Sequence, residues 1–436
     1  MNNSKFDIGF YPLKLVTLSA PALFLIFLVC EFWLPSVYIK GIPLRSYVLT
    51  LSFLSYFLFI FRGDYAETLK KKPFLLTCLV FFLLTFFRFI NYFLGHYNFG
   101  SYVFHSLRYI VQPFFVFFTT YLFITNHKTR FFKLLLFFAC VSSAIAFLQY
   151  LNIDLFWKLR YFLGKDPDAF VWSMLLGKTR AVGLAQYWVP LGYQIVTVFP
   201  LIFYFIVPNK KNHNWLVVFL LLLLAVFSIG TRSALLAIIV GLVYMYLVRK
   251  DMRKIISRCF AAILAIAILF LALFFCCKTS LYPRILHIDS SVMLRMPLFS
   301  FYFKKAIRKS ERQLRQQPGK ASEQPSEHHE VVGYIRSQGV DVCYSSEMSP
   351  HNQALNTFFF YGIAGPVILL FFYIYLWLIC GKKMFFARVG IGSCFINSFF
   401  HNAGPFFGDY VWWHLCAIIV YFSAHGFNDE RKGGIS

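Results

Sequence analysis

The chain has 436 residues, of which 59% are hydrophobic and only 14% are charged. A soluble globular domain is usually about one-quarter charged, so this composition excludes a soluble enzyme or binding domain and indicates a membrane protein. The 42 Lys and Arg residues exceed the 18 Asp and Glu residues, which gives a formal net charge of +24. In a membrane protein, an excess of positive charge first indicates which loops face the cytoplasm and where the chain contacts the anionic headgroups of lipids. Nucleic acid is not expected as a partner.

Apolar runs along the chain predict an all-α fold, a polytopic bundle of about 12 transmembrane helices, because a spanning helix needs roughly 20 apolar residues. The seventh and eighth spans are separated only by Gly230-Thr231-Arg232, so the alternative count is eleven. The predicted spans lie near 14–37, 46–61, 73–94, 102–125, 131–151, 187–207, 214–230, 232–248, 259–277, 354–380, 386–400 and 409–425.

These spans divide the chain into three parts. Residues 1–277 hold transmembrane helices 1–9, with an outer loop near 152–186. Residues 278–353 form one large loop, which we predict to be helical. Residues 354–436 hold helices 10–12 and a tail.

Basic residues mark one side of the bundle. Short loops that hold clusters of Lys and Arg are cytoplasmic by the positive-inside rule, whereas long loops escape that rule. Both termini are therefore predicted to be cytoplasmic, and the two long loops are predicted to lie on the outer side of the membrane. The basic clusters are Lys70-Lys71-Lys72, Lys128 with Arg130, Lys210-Lys211, Arg249 to Lys254, and Lys382 to Arg388.

The large loop interleaves apolar and basic residues over Ser291–Gln317. This pattern predicts a basic amphipathic helix at a membrane surface, beside anionic headgroups or pyrophosphates. Gln317-Pro318-Gly319 ends that pattern, and a second short helix is predicted around Glu327–Ser337.

A helix start is predicted where the chain returns to the membrane, with Ser349 as the N-cap and Pro350 at the first helical position. His351 is then expected in the first turn. The positive end of a helix disfavours the imidazolium ion, so His351 is a candidate general base, and the free N–H groups favour an anion nearby. The alternative is an ordinary polar residue at the membrane interface.

Three outward arginines accompany this histidine: Arg180, Arg232 and Arg295. A guanidinium is always charged and matches phosphate oxygens with two parallel hydrogen bonds, so Arg232 at a span junction is suited to hold a lipid pyrophosphate. Each arginine alone is explained as an anchor at the headgroup level. Together with His351 they place three cations and one base on the same side, and this coincidence is the functional signal.

Arg88, His105 and Arg108 fall inside predicted spans, where a charge costs roughly 2.5 to 3.5 kcal/mol, so they are expected to face a polar cavity. Glu31 is the only acid in an early span. The shortage of acids argues against a cation-coupled transporter but leaves an anion exporter open.

No metal site is expected. Ten cysteines lie mostly in apolar runs without a C-x-x-C spacing, and Asp166-Pro167-Asp168 is explained by a turn around proline. The sequence indicates chemistry without a metal or another cofactor.

Several segments together resemble the O-antigen ligase and polymerase superfamily of bacterial inner-membrane glycosyltransferases. The resemblance covers about residues 175–425. Its motifs are Thr179-Arg180-Ala181-Val182-Gly183-Leu184, Ile229-Gly230-Thr231-Arg232-Ser233-Ala234-Leu235-Leu236, Arg295 in the large loop, and His351-Asn352-x-x-Leu355 followed by Tyr361-Gly362-x-x-Gly365. A Pro-x-Gly-x-Gly element that the family often has in the large loop is represented here only by Pro318-Gly319-Lys320-Ala321.

The resemblance implies a multi-pass protein of the bacterial cell inner membrane with its active site facing the periplasm. The donor would be a glycan on undecaprenyl pyrophosphate and the acceptor lipid A-core, with inversion at the anomeric carbon and no metal. Arg232 and Arg295 would bind the pyrophosphate, as would Arg180, and His351 would activate the acceptor hydroxyl. The cation-rich large loop favours a ligase over a polymerase of the same superfamily, and a polysaccharide or lipid flippase or exporter remains the alternative from another class.

Overall fold

A computed structural model describes most of the chain, and helices dominate the described part. Four helical segments are long and apolar enough to cross a membrane: Lys72–Phe93, Tyr102–Tyr150, Trp188–Phe205 and Lys250–Ala272. Shorter apolar helices accompany them. The described residues are 11–35, 37–40, 42–60, 65–94, 99–163, 181–185, 188–206, 214–277, 331–337, 340–345, 352–381, 384–399, 405–406 and 410–426.

The elements are numbered here in chain order. The helices are α1 (Tyr11–Phe32), α2 (Leu44–Ile60), α3 (Ala66–Leu69), α4 (Lys72–Phe93), α5 (Phe99–Ser106), α6 (Gln112–Tyr150), α7 (Asp154–Leu163), α8 (Trp188–Val198), α9 (Pro200–Ile206), α10 (Asn214–Ile229), α11 (Arg232–Val248), α12 (Arg253–Cys277), α13 (Gln353–Tyr361), α14 (Ala364–Ile379), α15 (Phe385–Ser398) and α16 (Tyr410–His425). A π-helical turn, Leu107–Val111, joins α5 to α6, and the short strands β1 (Tyr38–Ile39) and β2 (Ile42–Pro43) form a hairpin before α2.

Helix α16 lies at the centre of the bundle. Twelve of its 16 residues are buried, and it packs against α6, α4 and α8. Aromatic rings make much of this contact; the ring centroids of Phe81 and Trp413, for example, are 4.5 Å apart. Because lipid tails are as apolar as these side chains, close van der Waals packing of this kind holds helices together in a membrane.

Helix α6 folds back on itself at His127, whose φ of −133° and ψ of 31° are not helical. The neighbours Glu31 and Phe32 on α1 show the reversal. The Phe32 ring stacks on Phe138 at 5.6 Å, whereas Glu31 is joined to Thr120 through one histidine. Thr120 and Phe138 would be about 27 Å apart in a straight helix. The two arms of α6 therefore overlap the predicted spans 102–125 and 131–151, although the first of these spans begins before α6, in α5.

Two other predicted spans are interrupted. The span predicted at 187–207 has a break at Phe199, just before Pro200, which has no N–H to donate within a helix. The span predicted at 354–380 is divided into α13 and α14 at Gly362, whose φ of +65° is left-handed. Hydropathy continues through both breaks and does not reveal them.

The prediction of a short helix around Glu327–Ser337 is wrong. Val331–Ser337 is a strand, β3, paired antiparallel with the strand β4, Val340–Ser345, with an irregularity between Val331 and Gly333. Val331, Val332 and Ile335 are β-branched, and such residues favour an extended backbone. The large loop is therefore not helical in its described part, and the amphipathic segment Ser291–Gln317 lies outside the described residues.

Candidate functional site

Arg232 is the first residue of α11. Helix α10 ends at Ile229, Gly230 adopts a left-handed φ of +63°, and Thr231 is the N-cap of α11. The break predicted at Gly230-Thr231-Arg232 is confirmed. The Arg232 side chain is half-buried at the positive end of a 17-residue helix, a place that favours an anion.

Arg180 lies outside the described residues, but the segment that follows it is fixed against the Arg232 turn. The Ala181 N–H donates to the carbonyl oxygen of Ser228 at 3.3 Å. The two motifs that contain Arg180 and Arg232 are thus brought together by a backbone hydrogen bond.

Gln149, near the end of α6, holds the same segment from the other side. Its Oε1 accepts from the N–H groups of Val182 and Gly183 at 3.0 and 2.9 Å, and its Nε2 donates to the Gly183 carbonyl at 3.1 Å. Gly183 has a left-handed φ of +59° and no room for a Cβ, which would lie 2.5 Å from the Ser142 carbonyl oxygen. The role of Gln149 was not predicted. The signal for it in the sequence is a polar residue near the end of an apolar run.

The helix start near His351 lies later than predicted. Asn352 is the N-cap of α13, with φ −145° and ψ 124°, and its side chain accepts from the Leu355 N–H at 3.1 Å. The prediction that Ser349 caps the helix, with Pro350 and His351 in its first turn, is wrong. An N-cap side chain bonds the N–H two or three residues after it, so Asn352 reaches the Leu355 N–H, whereas Ser349 lies too far upstream. His351 itself lies outside the described residues and precedes the cap by one position.

The starts of α11 and α13 both lie level with the C-terminal end of α15. The Ser393 hydroxyl donates to the Ala237 carbonyl at 2.8 Å, which fixes the level at which α11 and α15 pack. Arg232 lies five residues before Ala237, and Ser398 lies five residues after Ser393. Because α11 and α15 are antiparallel, Arg232 is level with the end of α15. The Asn352 Nδ2 donates to the Phe399 carbonyl at that same end, 3.1 Å away.

The other end of α13 is held by Arg88 and Asn91 from α4. Arg88 is 1% exposed, and its Nη1 donates to the Phe360 carbonyl at 3.0 Å, while the Asn91 Nδ2 approaches the same oxygen at 3.4 Å. A cation at the C-terminal end of a helix is favourable because of the helix dipole. Arg88 is therefore a positioning residue for α13. His105 lies beside Phe360, with ring centroids 5.2 Å apart, and Arg108 is exposed.

Four buried polar residues surround this end of α15, and we call them the polar shelf: Gln194, Thr231, Gln353 and Asn397. The position of Gly192 against Thr231 places α8 at the same level. Within the described residues, both amide atoms of Gln353 and Asn397, the Gln194 Oε1 and the Thr231 hydroxyl are buried without a hydrogen-bond partner. Buried polar groups nearly always have a partner, so such a concentration indicates a place for a ligand or for water.

Arg295 lies outside the described residues, so the structure places only Arg232 of the four predicted site residues. Comparisons of the chain with models of protein families, with curated proteins and with solved structures found no match.

Proposed function

We propose that this protein is a multi-pass, O-antigen ligase-type glycosyltransferase of the bacterial inner membrane. In this proposal it has about 12 transmembrane helices, and its site faces the periplasm. It moves a glycan from undecaprenyl pyrophosphate to lipid A-core. The observation that carries the proposal is the placement of two helix N-termini, those of α11 and α13, level with the end of α15 that holds the polar shelf.

The donor pyrophosphate would lie at the start of α11. Arg232 and the N-terminal end of α11 offer a cation and a positive helix end to its oxygens, and Arg295 and Arg180 would complete the binding. Ala181, the residue that follows Arg180 in the sequence, lies against the Arg232 turn. Membrane lipids would surround the polyprenyl chain of the donor.

The acceptor would be activated by His351. It removes the proton of the acceptor sugar hydroxyl, whose oxygen then attacks the anomeric carbon as the bond to the pyrophosphate breaks. Attack opposite the leaving group inverts the anomeric centre. The leaving group departs as a pyrophosphate whose charge the arginines hold, so this step needs neither a metal nor an acid.

Two alternatives differ from this proposal in an observable way. A polymerase of the same superfamily would use the same residues with a second lipid-linked repeat as the acceptor. An exporter would use Arg88, His105, Arg108 and Arg232 as an anion path and would not need His351. The use of Arg88 to hold the end of α13 favours a transferase over this path.

Reconstitution of the purified protein in liposomes tests the proposal. A lipid-linked glycan is supplied with lipid A-core in one sample and with a second lipid-linked repeat in another. We expect a product only with lipid A-core. A product only with the second repeat would identify a polymerase, and no product with either acceptor, with intact donor moved across the bilayer, would identify an exporter.

A further inference from the structure

A carboxylate, an imidazole and a hydroxyl form a buried, hydrogen-bonded cluster in the bundle, outside the proposed transfer site. The His414 Nε2 lies 2.9 Å from Glu31 Oε2, and its Nδ1 lies 2.7 Å from the Thr120 hydroxyl. His414 and Thr120 are fully buried, and Glu31 is 3% exposed. Three helices, α1, α6 and α16, contribute one member each.

We propose that Glu31 and His414 bind one exchangeable proton, which reaches them only from the end of the bundle where α16 begins. This inference does not depend on the proposed transfer reaction.

Electrostatics determines how many protons the pair holds. With one proton the pair is neutral overall, as imidazolium beside carboxylate or as imidazole beside carboxylic acid. Without it a carboxylate remains without a cation in a region of low dielectric, which costs several kcal/mol. A second proton leaves an imidazolium beside a neutral acid. The one-proton form is therefore the form that burial of the pair favours.

Thr120 allows the proton to arrive and leave. In the imidazolium form both ring nitrogens carry a proton, so His414 donates to Glu31 and to the Thr120 oxygen. In the deprotonated form Nδ1 has none, and the Thr120 hydroxyl rotates to donate to it. A hydroxyl is both donor and acceptor, so neither state leaves a ring nitrogen without a partner.

Polar residues lead from the cluster in one direction. Tyr410 lies one helical turn before His414 on α16, its hydroxyl donates to Gln112 Oε1, and the guanidinium of the half-buried Arg45 lies 5.1 Å from its ring centroid. Tyr410 interacts electrostatically with Glu31, and the other charged or titratable groups that face it are Arg45, Arg108 and Tyr109. Within the described residues the Glu31 Oε1 has no hydrogen-bond partner, so an acceptor is free on this path.

Aromatic rings pack around the imidazole ring as well. The centroids of Phe24, Phe27 and Phe131 lie 6.2, 6.2 and 5.6 Å from that of the imidazole ring. Such apolar rings offer a proton no polar partner, whereas Tyr410 does, so we assign the route to the path along Tyr410.

The first test counts protons. The native protein and the double variant Glu31→Gln, His414→Gln are unfolded with SDS at about pH 8, where free imidazole and carboxyl groups have lost their protons. A pH indicator measures the release. We expect the native chain to release one proton more per molecule than the variant. Equal release would show that the folded pair holds no proton, and would overturn the proposal.

The second test follows the route and does not need the double variant. Protein labelled with ¹⁵N-histidine is transferred to D₂O, and the loss of the His414 ring N–H signal is timed by NMR. Tyr410→Phe should slow the exchange about tenfold because one hydrogen-bonded hydroxyl is lost, while the proton count stays at one. Tyr47→Phe, which removes an exposed hydroxyl from α2, is the matched control and should exchange like the native protein. Unchanged exchange in Tyr410→Phe would show that the route is wrong.

Discussion

Two buried glutamines of this protein have opposite surroundings. Gln149 is fully buried, and both ends of its amide are hydrogen bonded to the segment Val182–Gly183. Gln353 is 1% exposed, and neither of its amide atoms has a partner among the described residues. A buried polar group without a partner costs about 1–3 kcal/mol. The hydrogen bonds of Gln149 therefore stabilise the fold, whereas burial of the Gln353 amide does not. We infer that Gln149 and the segment Val182–Gly183 serve stability, and that the polar shelf serves to bind a ligand.

The largest effect is expected at His351, which precedes Gln353 of the polar shelf by two positions in the sequence. His351→Gln keeps a hydrogen-bonding side chain but cannot take the acceptor proton, so the rate of transfer should fall by roughly 10²–10⁴-fold. Single-turnover transfer from purified lipid-linked donor measures this, and donor binding should be kept because the proposal assigns the pyrophosphate to the arginines. Transfer at the native rate would make His351 a structural residue, and the base would then be sought at Glu347, Asp341 or His401.

On the stability side of the comparison, Gln149→Leu should cost about 3 kcal/mol or more. The substitution leaves the buried N–H groups of Val182 and Gly183 without an acceptor, and each carries a desolvation penalty. Thermal unfolding in detergent measures the loss. A midpoint like that of the native protein would show that this segment does not depend on Gln149.

Gly183→Ala should cost about 2–3 kcal/mol, since it combines a left-handed backbone with a Cβ placed against the Ser142 carbonyl oxygen. Gly381→Ala is the matched control, because no atom of the described residues lies within 4 Å of a Cβ added there. The same unfolding measurement should find the control within about 0.5 kcal/mol of the native protein. Equal effects of the two substitutions would contradict the close approach of Gly183 to α6.

At the shelf, Arg232→Lys should weaken donor binding about tenfold, because an ammonium group cannot reproduce the two parallel hydrogen bonds of a guanidinium. The control is Arg249→Lys at the opposite end of α11, where Arg249 makes a two-pronged ion pair with Asp251. Titration with the lipid-linked donor distinguishes them. If Arg232→Lys bound the donor as well as the control, the assignment of Arg232 to the pyrophosphate would be wrong.

The sequence predicted the helices well where local signals mark their ends. Helices α10 and α11 lie at Asn214–Ile229 and Arg232–Val248, close to the predicted 214–230 and 232–248, because Gly230 and Thr231 interrupt the apolar run. The sequence did not predict a helix break that lies within a continuous apolar run, as at Gly362. It also misassigned β3, where β-branched residues prevailed over the expected helix.

The site was predicted only in part because its polar residues act through distant partners. Arg232 stands out in the sequence, since it interrupts two apolar runs. Nothing local shows that Glu31 meets His414, which is 383 positions away, or that Arg88 holds the end of α13. The N-cap at Asn352 was misplaced because Ser349 and Pro350 form an equally plausible helix start, and only the contact with Leu355 decides between them.

The comparison between the two glutamines is tested most directly by measuring unfolding and transfer on the same preparations of Gln149→Leu and Gln353→Leu. Gln353→Leu removes amide atoms that have no partner in the described residues, so it should unfold at or above the native midpoint and yet lose transfer. Gln149→Leu should unfold well below that midpoint. If Gln353→Leu lost as much stability as Gln149→Leu, or kept full transfer, the polar shelf would not be a ligand site.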